Sequence, residues 1–478
     1  MLFNSIDFAI FLPIVFLLYW FVTKRNLRAQ NLLLLICSYI FYGWWDWRFL
    51  LLIFFSSLVD FFVGIGLSRT NVRRKRILLL LASIFVNIGF LGFFKYYNFF
   101  LENFIEAFSF FGRPINPEGL NIILPVGISF YTFQTLSYSI DVYKRRLEPT
   151  RDIIAFFAFV SFFPQLVAGP IERATNLLSQ FYAKRIFDYD KAVDGMRQIL
   201  WGLFKKIVIA DNCATYANEI FNNSSHYSGS TLLLGVIFFA FQIYGDFSGY
   251  SDIAIGTSRL FGFNLKKNFA FPYFSRDIAE FWRRWHMSLT TWFRDYVYIP
   301  LGGSRGGTWK KIRNVFVIFV VSGFWHGANW KFIIWGALNA LCFLPLMLTK
   351  NHRKHTDTVA EGRILPGLKE VLQIGVTFSL TLVGWVFFRA ESVHHAFAYI
   401  GALISPSLFV MPTVFPRVTL LFIGFFMLIE WFQREKEHAL EFRGKRYPAV
   451  VRWGFYYVLI LAILWFGGKQ QEFIYFQF

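Results

Sequence analysis

Apolar runs recur along the whole of this chain, and no long polar stretch separates them. Such a pattern leaves few ways to fold in water. Of the 478 residues 56% are hydrophobic and only 16% charged, which excludes a large soluble globule with a normally charged skin. The same composition excludes disordered, collagen-like and disulfide-scaffold classes. Cys37, Cys213 and Cys342 are scattered and odd in number, with neither a metal spacing nor a disulfide framework. The expected fold is an all-α polytopic membrane protein.

The formal net charge of +19 would suggest a nucleic-acid partner in a soluble protein. Here the basic residues sit between apolar runs, so membrane lipids with anionic headgroups are the expected partner and nucleic acid is not. Residues 6–22 lack a basic n-region and a cleavage site, and read as a retained first span. Lys24, Arg25 and Arg28 follow it and should face the cytoplasm. Residues 31–42 lead into the aromatic cluster Gly43-Trp44-Trp45-Asp46-Trp47, suited to the outer headgroup level. Residues 49–67 return to Arg69, Arg73, Arg74, Lys75 and Arg76, and 77–94 go out again, which puts the N-terminus outside.

Beyond that point the hydropathy is irregular. Residues 99–111 carry Glu102 and Glu106 and read as interfacial. Residues 122–134 contain Pro125 and Gly127 and fall short of a crossing of about 20 residues. Residues 153–168 end among Pro164, Gly169 and Pro170. Runs at 199–209, 231–244, 315–325, 332–348, 371–388, 396–410, 418–431 and 455–466 bring the expectation to about 10–12 crossings plus re-entrant or interfacial helices. Broken segments persist at membrane depth only inside protein or around an aqueous cavity. The expectation is one integral-membrane domain over 1–478, with a catalytic core at about 120–335 and packing helices at 1–112 and 370–478.

Three segments carry residues with chemistry. In residues 238–259, an apolar run meets Gln242, Asp246, Ser248, Ser251 and Asp252 with Gly245 and Gly249 between them. A mid-bilayer carboxylate costs about 2.5–3.5 kcal/mol on insertion scales and is functional by default. The plainer alternative makes Asp246 or Ser248 an N-cap at a glycine turn, with Arg259 a partner for Asp252. In residues 275–300, Trp282, Trp285, Leu289, Trp292, Phe293 and Tyr296 share one helical face, with Arg283, Arg284, Arg294 and Asp295 mostly off it. That is the pattern of a helix lying in the membrane interface. Asp277 and Glu280 suggest a capping box, and His286 sits at the border of the two faces, open to either an interfacial or an active-site role.

In residues 315–330 an apolar run ends on His326, between Trp325 and Gly327. A charged imidazole is expensive there, whereas a neutral one kept dry is a good general base. A satisfied core histidine is the alternative. Gly323 and Gly327 leave room for a substrate or another backbone. His226, His352, His355, His394, His395 and His438 lie in polar sequence and read as bystanders. No phosphate loop, zinc helix or nucleophile elbow is present, and no metal is expected.

With those residues in view, the chain resembles the membrane-bound O-acyltransferase (MBOAT) family, in its bacterial polysaccharide branch. The resemblance rests on QIYGDFSGYSDIAIG (242–256), NFAFPYFSRDIAEFWRRWHMSLTTWFRDYVYIPLGG (268–303) and GFWHGANW (323–330), with weaker matches at 124–145 and 162–173. It implies a ring of helices around a tunnel open to both membrane faces. It implies that His326 is the catalytic histidine and His286 a second active-site residue, where many members carry Asn. That departure leaves the role of His286 open between a donor orienting the acyl carbonyl or acceptor and a proton relay.

The resemblance further implies no permanently bound cofactor. The acyl donor would be acetyl-CoA or an acyl carrier protein phosphopantetheine thioester, with Arg283 and Arg284 as weak candidates for its phosphates. The acceptor would be a cell-surface or exopolysaccharide hydroxyl, and an extracytoplasmic partner resembling an SGNH hydrolase would complete the transfer. The bacterial cytoplasmic membrane is the implied location, acetyl the expected acyl group, and D-alanyl transfer to teichoic acid the alternative. A transporter or flippase that makes no bonds is the rival from another class.

Overall fold

The structure, a computed structural model, describes residues 1–110, 119, 120, 122–125, 127–167, 169–442 and 448–474. Phe111, Val126 and Ala168, which bound or interrupt three of the expected segments, lie outside the described residues. Those described are helical with no strand among them, and the chain divides into two compact units. One comprises Met1–Asp188 with Ser258–Leu265, the other Tyr189–Thr257 with Lys266–Phe478.

Among the described residues five helical segments are long and apolar enough to cross a membrane: Leu27–Arg69, Arg73–Ser109, Gly229–Leu260, Trp330–Leu348 and Leu368–Arg389. This is a multi-pass membrane protein. Shorter apolar helices run over Ile6–Val22, Ile153–Leu166 and Ala449–Trp465. The 43 residues of Leu27–Arg69 would extend about 65 Å as one straight helix, twice the hydrocarbon thickness. A break at Trp47–Phe49 divides them into helices of 20 residues each, and Asp46 caps the break by accepting from the Arg48 N–H at 3.0 Å. The aromatic cluster is therefore helical as far as Asp46, and the helix is longer than residues 31–42.

In the first unit, buried polar groups tie the helices together. Asp60 on Leu50–Arg69 is fully buried. It accepts from the Ser83 hydroxyl, from Ser139 Oγ at 2.6 Å and from Asn87 Nδ2 at 2.7 Å. These donors come from Arg73–Leu91 and Ile128–Tyr143, so one carboxylate pins three helices. Arg76, expected in a basic loop, is buried inside a helix and donates to Leu67 O, Thr70 O and Tyr143 O. It closes the C-terminal carbonyls of two neighbouring helices.

Gly127, at φ 73°, starts the Ile128–Tyr143 helix, so the short span expected at 122–134 begins later and runs further. The expected span at 153–168 breaks at Phe162 between Ile153–Ser161 and Phe163–Leu166, where the Phe163 N–H donates to Ser38 Oγ at 3.0 Å.

The second unit holds the residues of chemical interest. Gly229–Leu260 is one continuous helix of 32 residues, so Asp246 and Ser248 are interior residues and not N-caps. Glycines 245 and 249 let the neighbouring helix approach: a Cβ on either would meet backbone oxygens of Lys205 or Gly202. That neighbour runs from Tyr189 to Asn222 with a π-helical stretch over Phe204–Ala210. The π stretch presents Lys205 and Lys206 inward. Lys206 is fully buried and lies 2.8 Å from both Asp211 and Asp246. Lys205 pairs with Asp252 at 2.5 Å, the partner that sequence spacing assigned to Arg259.

Candidate active site

Thr308–His326 and Trp330–Leu348 form a helical hairpin. Asn329 caps the second helix by accepting from the Lys331 N–H at 3.0 Å. The two backbones meet at glycines: a Cβ on Gly323 would collide with the Phe332 carbonyl oxygen, and one on Gly336 with that of Phe319. Small residues allow such an approach where apolar surface alone gives helices no drive to pair in lipid. The space beside Gly323 is thus filled by another backbone, and that beside Gly327 by the Phe332 ring. Gly336→Leu is expected to force the hairpin apart at a cost of at least about 1–3 kcal/mol. A lowered melting temperature of the detergent-solubilised protein would register it, and an unchanged one would refute the close-packing account.

His326 is the last residue of the first of these helices and is 5% exposed. Aromatic rings wall its imidazole: Trp325 at 4.8 Å between centroids, Trp335 at 5.1 Å and Phe388 at 5.3 Å, all near edge-on. Phe388 comes from Leu368–Arg389, so three helices enclose the ring.

His286 sits at a break, not in a continuous amphipathic helix as its sequence context suggests. Ile278–Arg284 ends, Trp285 is extended, and His286 adopts φ 43°, ψ 53° before Met287–Phe293 begins. A left-handed conformation is uncommon for a side chain of this size and costs of order 1–3 kcal/mol unless neighbours enforce it. Asn268 supplies that enforcement. Its carbonyl accepts from the Met287 N–H at 2.9 Å, and its Oδ1 accepts from the Ser288 N–H at 3.3 Å and the Ser288 hydroxyl at 2.9 Å.

The His286 ring is 1% exposed, lies edge-on to Phe247 at 4.6 Å and parallel to Phe269 at 6.3 Å. It lies outside the spanning helices, and burial pushes its pKa down to about 3, so it is neutral at pH 7. Trp325 joins the two histidines, with its ring 6.3 Å from that of His286 and 4.8 Å from that of His326.

The arginines before the break are engaged by the chain itself. Arg283 donates to the carbonyls of His352 and His355 at 2.7 and 2.6 Å. Arg284 donates to Glu280 and to the Asp357 carbonyl at 2.8 Å. Asp277 accepts from the Glu280 N–H at 2.7 Å as the expected cap, while the Glu280 carboxylate turns to Arg276 and Arg284. Hydrogen bonding to the Arg276 guanidinium lowers the Asp357 carboxyl below its usual range. The polar segment at 350–369 is therefore anchored by Arg276, Arg283 and Arg284. His438, read as a bystander in polar sequence, is buried and meets Asp194 at 3.1 Å.

Comparison with known proteins bears on this geometry. Residues 143–378 match the family described as MBOAT, membrane-bound O-acyltransferase family. The probable alginate O-acetylase AlgI of Pseudomonas aeruginosa is 41% identical over 408 residues, 85% of this chain and 75% of that protein. The chain belongs to the membrane-bound O-acyltransferase family. As a member it is an O-acyltransferase, and it requires an acyl donor. The peptidoglycan O-acetyltransferase of Helicobacter pylori is 35% identical, covering 84% of this chain and 80% of its own length. The teichoic acid D-alanyltransferase of Bacillus subtilis is more distant, 27% identical over 58% of this chain and 71% of its own. Both histidines fall within the matched residues.

Proposed function

We propose that this protein O-acetylates a cell-surface or secreted polysaccharide from the bacterial cytoplasmic membrane, acting as one catalytic domain, with His326 as the general base and His286 as its active-site companion. The observation that carries the reading is the set of aromatic rings packed on buried His326, of which Trp325 also lies against His286, in a family member 41% identical to a probable alginate O-acetylase. The donor is a cytoplasmic thioester, on coenzyme A or a carrier protein, and the acceptor hydroxyl arrives from the opposite face.

Neutral His326 takes the acceptor's O–H proton as its oxygen attacks the thioester carbonyl. The C–S bond breaks, the acyl group passes to oxygen, and the departing thiolate takes up the proton. Trp325, Trp335 and Phe388 keep water from competing with the acceptor. The phosphate end of the donor finds Arg283 and Arg284 already occupied by protein carbonyls, so any contact with them would displace those bonds. An extracytoplasmic partner resembling an SGNH hydrolase would hand the acetyl group to the final polymer. Acetyl is favoured over D-alanyl because the O-acetylase relatives are 35–42% identical and the D-alanyltransferases 27–28%.

The test is acetyl transfer by the purified protein in liposomes, with acetyl-CoA on one side and a uronate oligosaccharide on the other. Thioester consumption coupled to acetylated sugar is the expected result, and passage of acetyl-CoA without bond exchange would overturn it. His286→Ala should lower the rate by about 10²–10⁴-fold if His286 handles a proton or orients the hydroxyl. A change confined to protein level would leave His286 a structural residue.

A further inference from the structure

Sequence leaves the role of His286 open between a donor orienting the acyl carbonyl or acceptor and a proton relay, and the hydrogen bonds behind the ring bear on that choice. His286 Nδ1 lies 3.1 Å from Asn268 Oδ1. Which end of the Asn268 amide faces the ring is fixed independently. The Ser288 N–H can only donate and points to the same Asn268 atom, at 3.3 Å, while the other end donates to Ser251 Oγ at 3.0 Å. An atom that accepts from a backbone N–H is the carbonyl oxygen. An oxygen there requires Nδ1 of His286 to carry the proton, and in a neutral ring Nε2 then carries the lone pair.

We infer that Asn268 is a positioning residue that locks His286 as its Nδ1–H tautomer, so that Nε2 serves the acceptor hydroxyl as a hydrogen-bond acceptor and does not donate to the acyl carbonyl. The inference rests on His286 being an active-site residue. It also separates positioning from relay: a neutral amide does not pass protons on, so the chain from His286 through Asn268 to Ser251 orients the ring without draining it. Ser251 and Asn268 border a cavity of about 20 Å³ that the titratable side chains of Lys205, Asp252, Lys267, Glu430, Glu437 and His438 also line. The rings packed on His286 from the other elements, Phe247, Phe269 and Trp325, carry no charge. A carboxylate at position 268 would place a negative charge directly against the imidazole.

Three variants of the full-length protein in liposomes test this, read as coenzyme A release from acetyl-CoA with uronate oligosaccharide across pH. Asn268→Ala frees the ring to turn and should slow transfer about 10–100-fold, the size seen when the partner orienting a functional histidine is removed. Asn268→Asp keeps an acceptor opposite Nδ1–H and should recover most of that rate on the alkaline side. Its charge favours the imidazolium, so the acid-side fall in rate should begin about 1–3 pH units higher than in the wild type. A merely structural asparagine predicts no such displacement.

An Asp variant with the wild-type acid limb, or an Ala variant at full rate, overturns the inference and leaves the acyltransferase reading standing. If Asn268→Ala does not fold, the Asp profile still decides. His286→Ala at wild-type rate would instead overturn the assignment of His286 itself.

Discussion

Replacing His326 with Ala should abolish acyl transfer, with kcat falling by at least about 10²–10⁴-fold, while the protein still inserts and purifies. The imidazole is the last residue of a helix whose position is set elsewhere, by the glycine contacts at 323 and 336 and by the Asn329 cap. Truncating it removes a ring at the end of the hairpin and leaves those supports untouched. His326→Asn sharpens the test, because it keeps a polar side chain of similar reach but no basic nitrogen. If His326 removes a proton in the transition state, Asn and Ala should fail alike, and KM for the thioester should move little in either, since the loss falls on a step after binding. Steady-state rates for the two variants measure this. An Asn variant turning over at the wild-type kcat would mean that the residue only shapes the site.

His326 stood out in the sequence because a histidine at the end of an apolar helix is costly, which makes it a candidate for function. What encloses it did not, since Phe388 lies 62 residues away on a helix that reads as peripheral packing. His286 was singled out as a candidate by the family resemblance, its own context leaving its role open, and its local conformation was misread. The three- and four-residue spacing of Trp282, Trp285 and Leu289 favours an unbroken helix, and the break depends on Asn268, which by itself looks like an ordinary loop residue. Local periodicity cannot register a hydrogen bond from 18 residues upstream. The same limit applies to Asp60, which passes for part of the span at 49–67 because its partners Ser83 and Ser139 come from two other helices. Asp246 suffered the opposite error. Flanking glycines suggested a turn, whereas they serve close helix packing in an unbroken helix, and the lysine that neutralises it lies 40 residues earlier.

That lysine carries the largest expected effect on stability. Lys206 is fully buried between Asp211 and Asp246, each 2.8 Å from its Nζ, and it also donates to the Gln471 carbonyl at 3.0 Å. Asp246 in turn accepts from the Ile474 N–H at 2.7 Å. The same three charges therefore hold residues 471–474 against the helix, and Phe473 packs on Phe247, whose ring faces His286. Lys206→Met keeps an unbranched apolar stem and removes the ammonium with its charge and its N–H donors. Two buried carboxylates would then lack a cation, and breaking such a pair costs about 3–5 kcal/mol. The expected result is little folded protein in the membrane and a strongly lowered melting temperature of what remains.

Lys205→Met provides the comparison. Its partner Asp252 keeps 16% side-chain exposure, so water can share the stranded charge and the loss should be smaller. Adding Asp211→Asn and Asp246→Asn to Lys206→Met should restore much of the stability, because the penalty is the unpaired charge and not the missing ammonium. If the triple variant were no more stable than Lys206→Met alone, packing of the lysine stem would be the better explanation, and the triad would not be what secures the 471–474 segment behind His286.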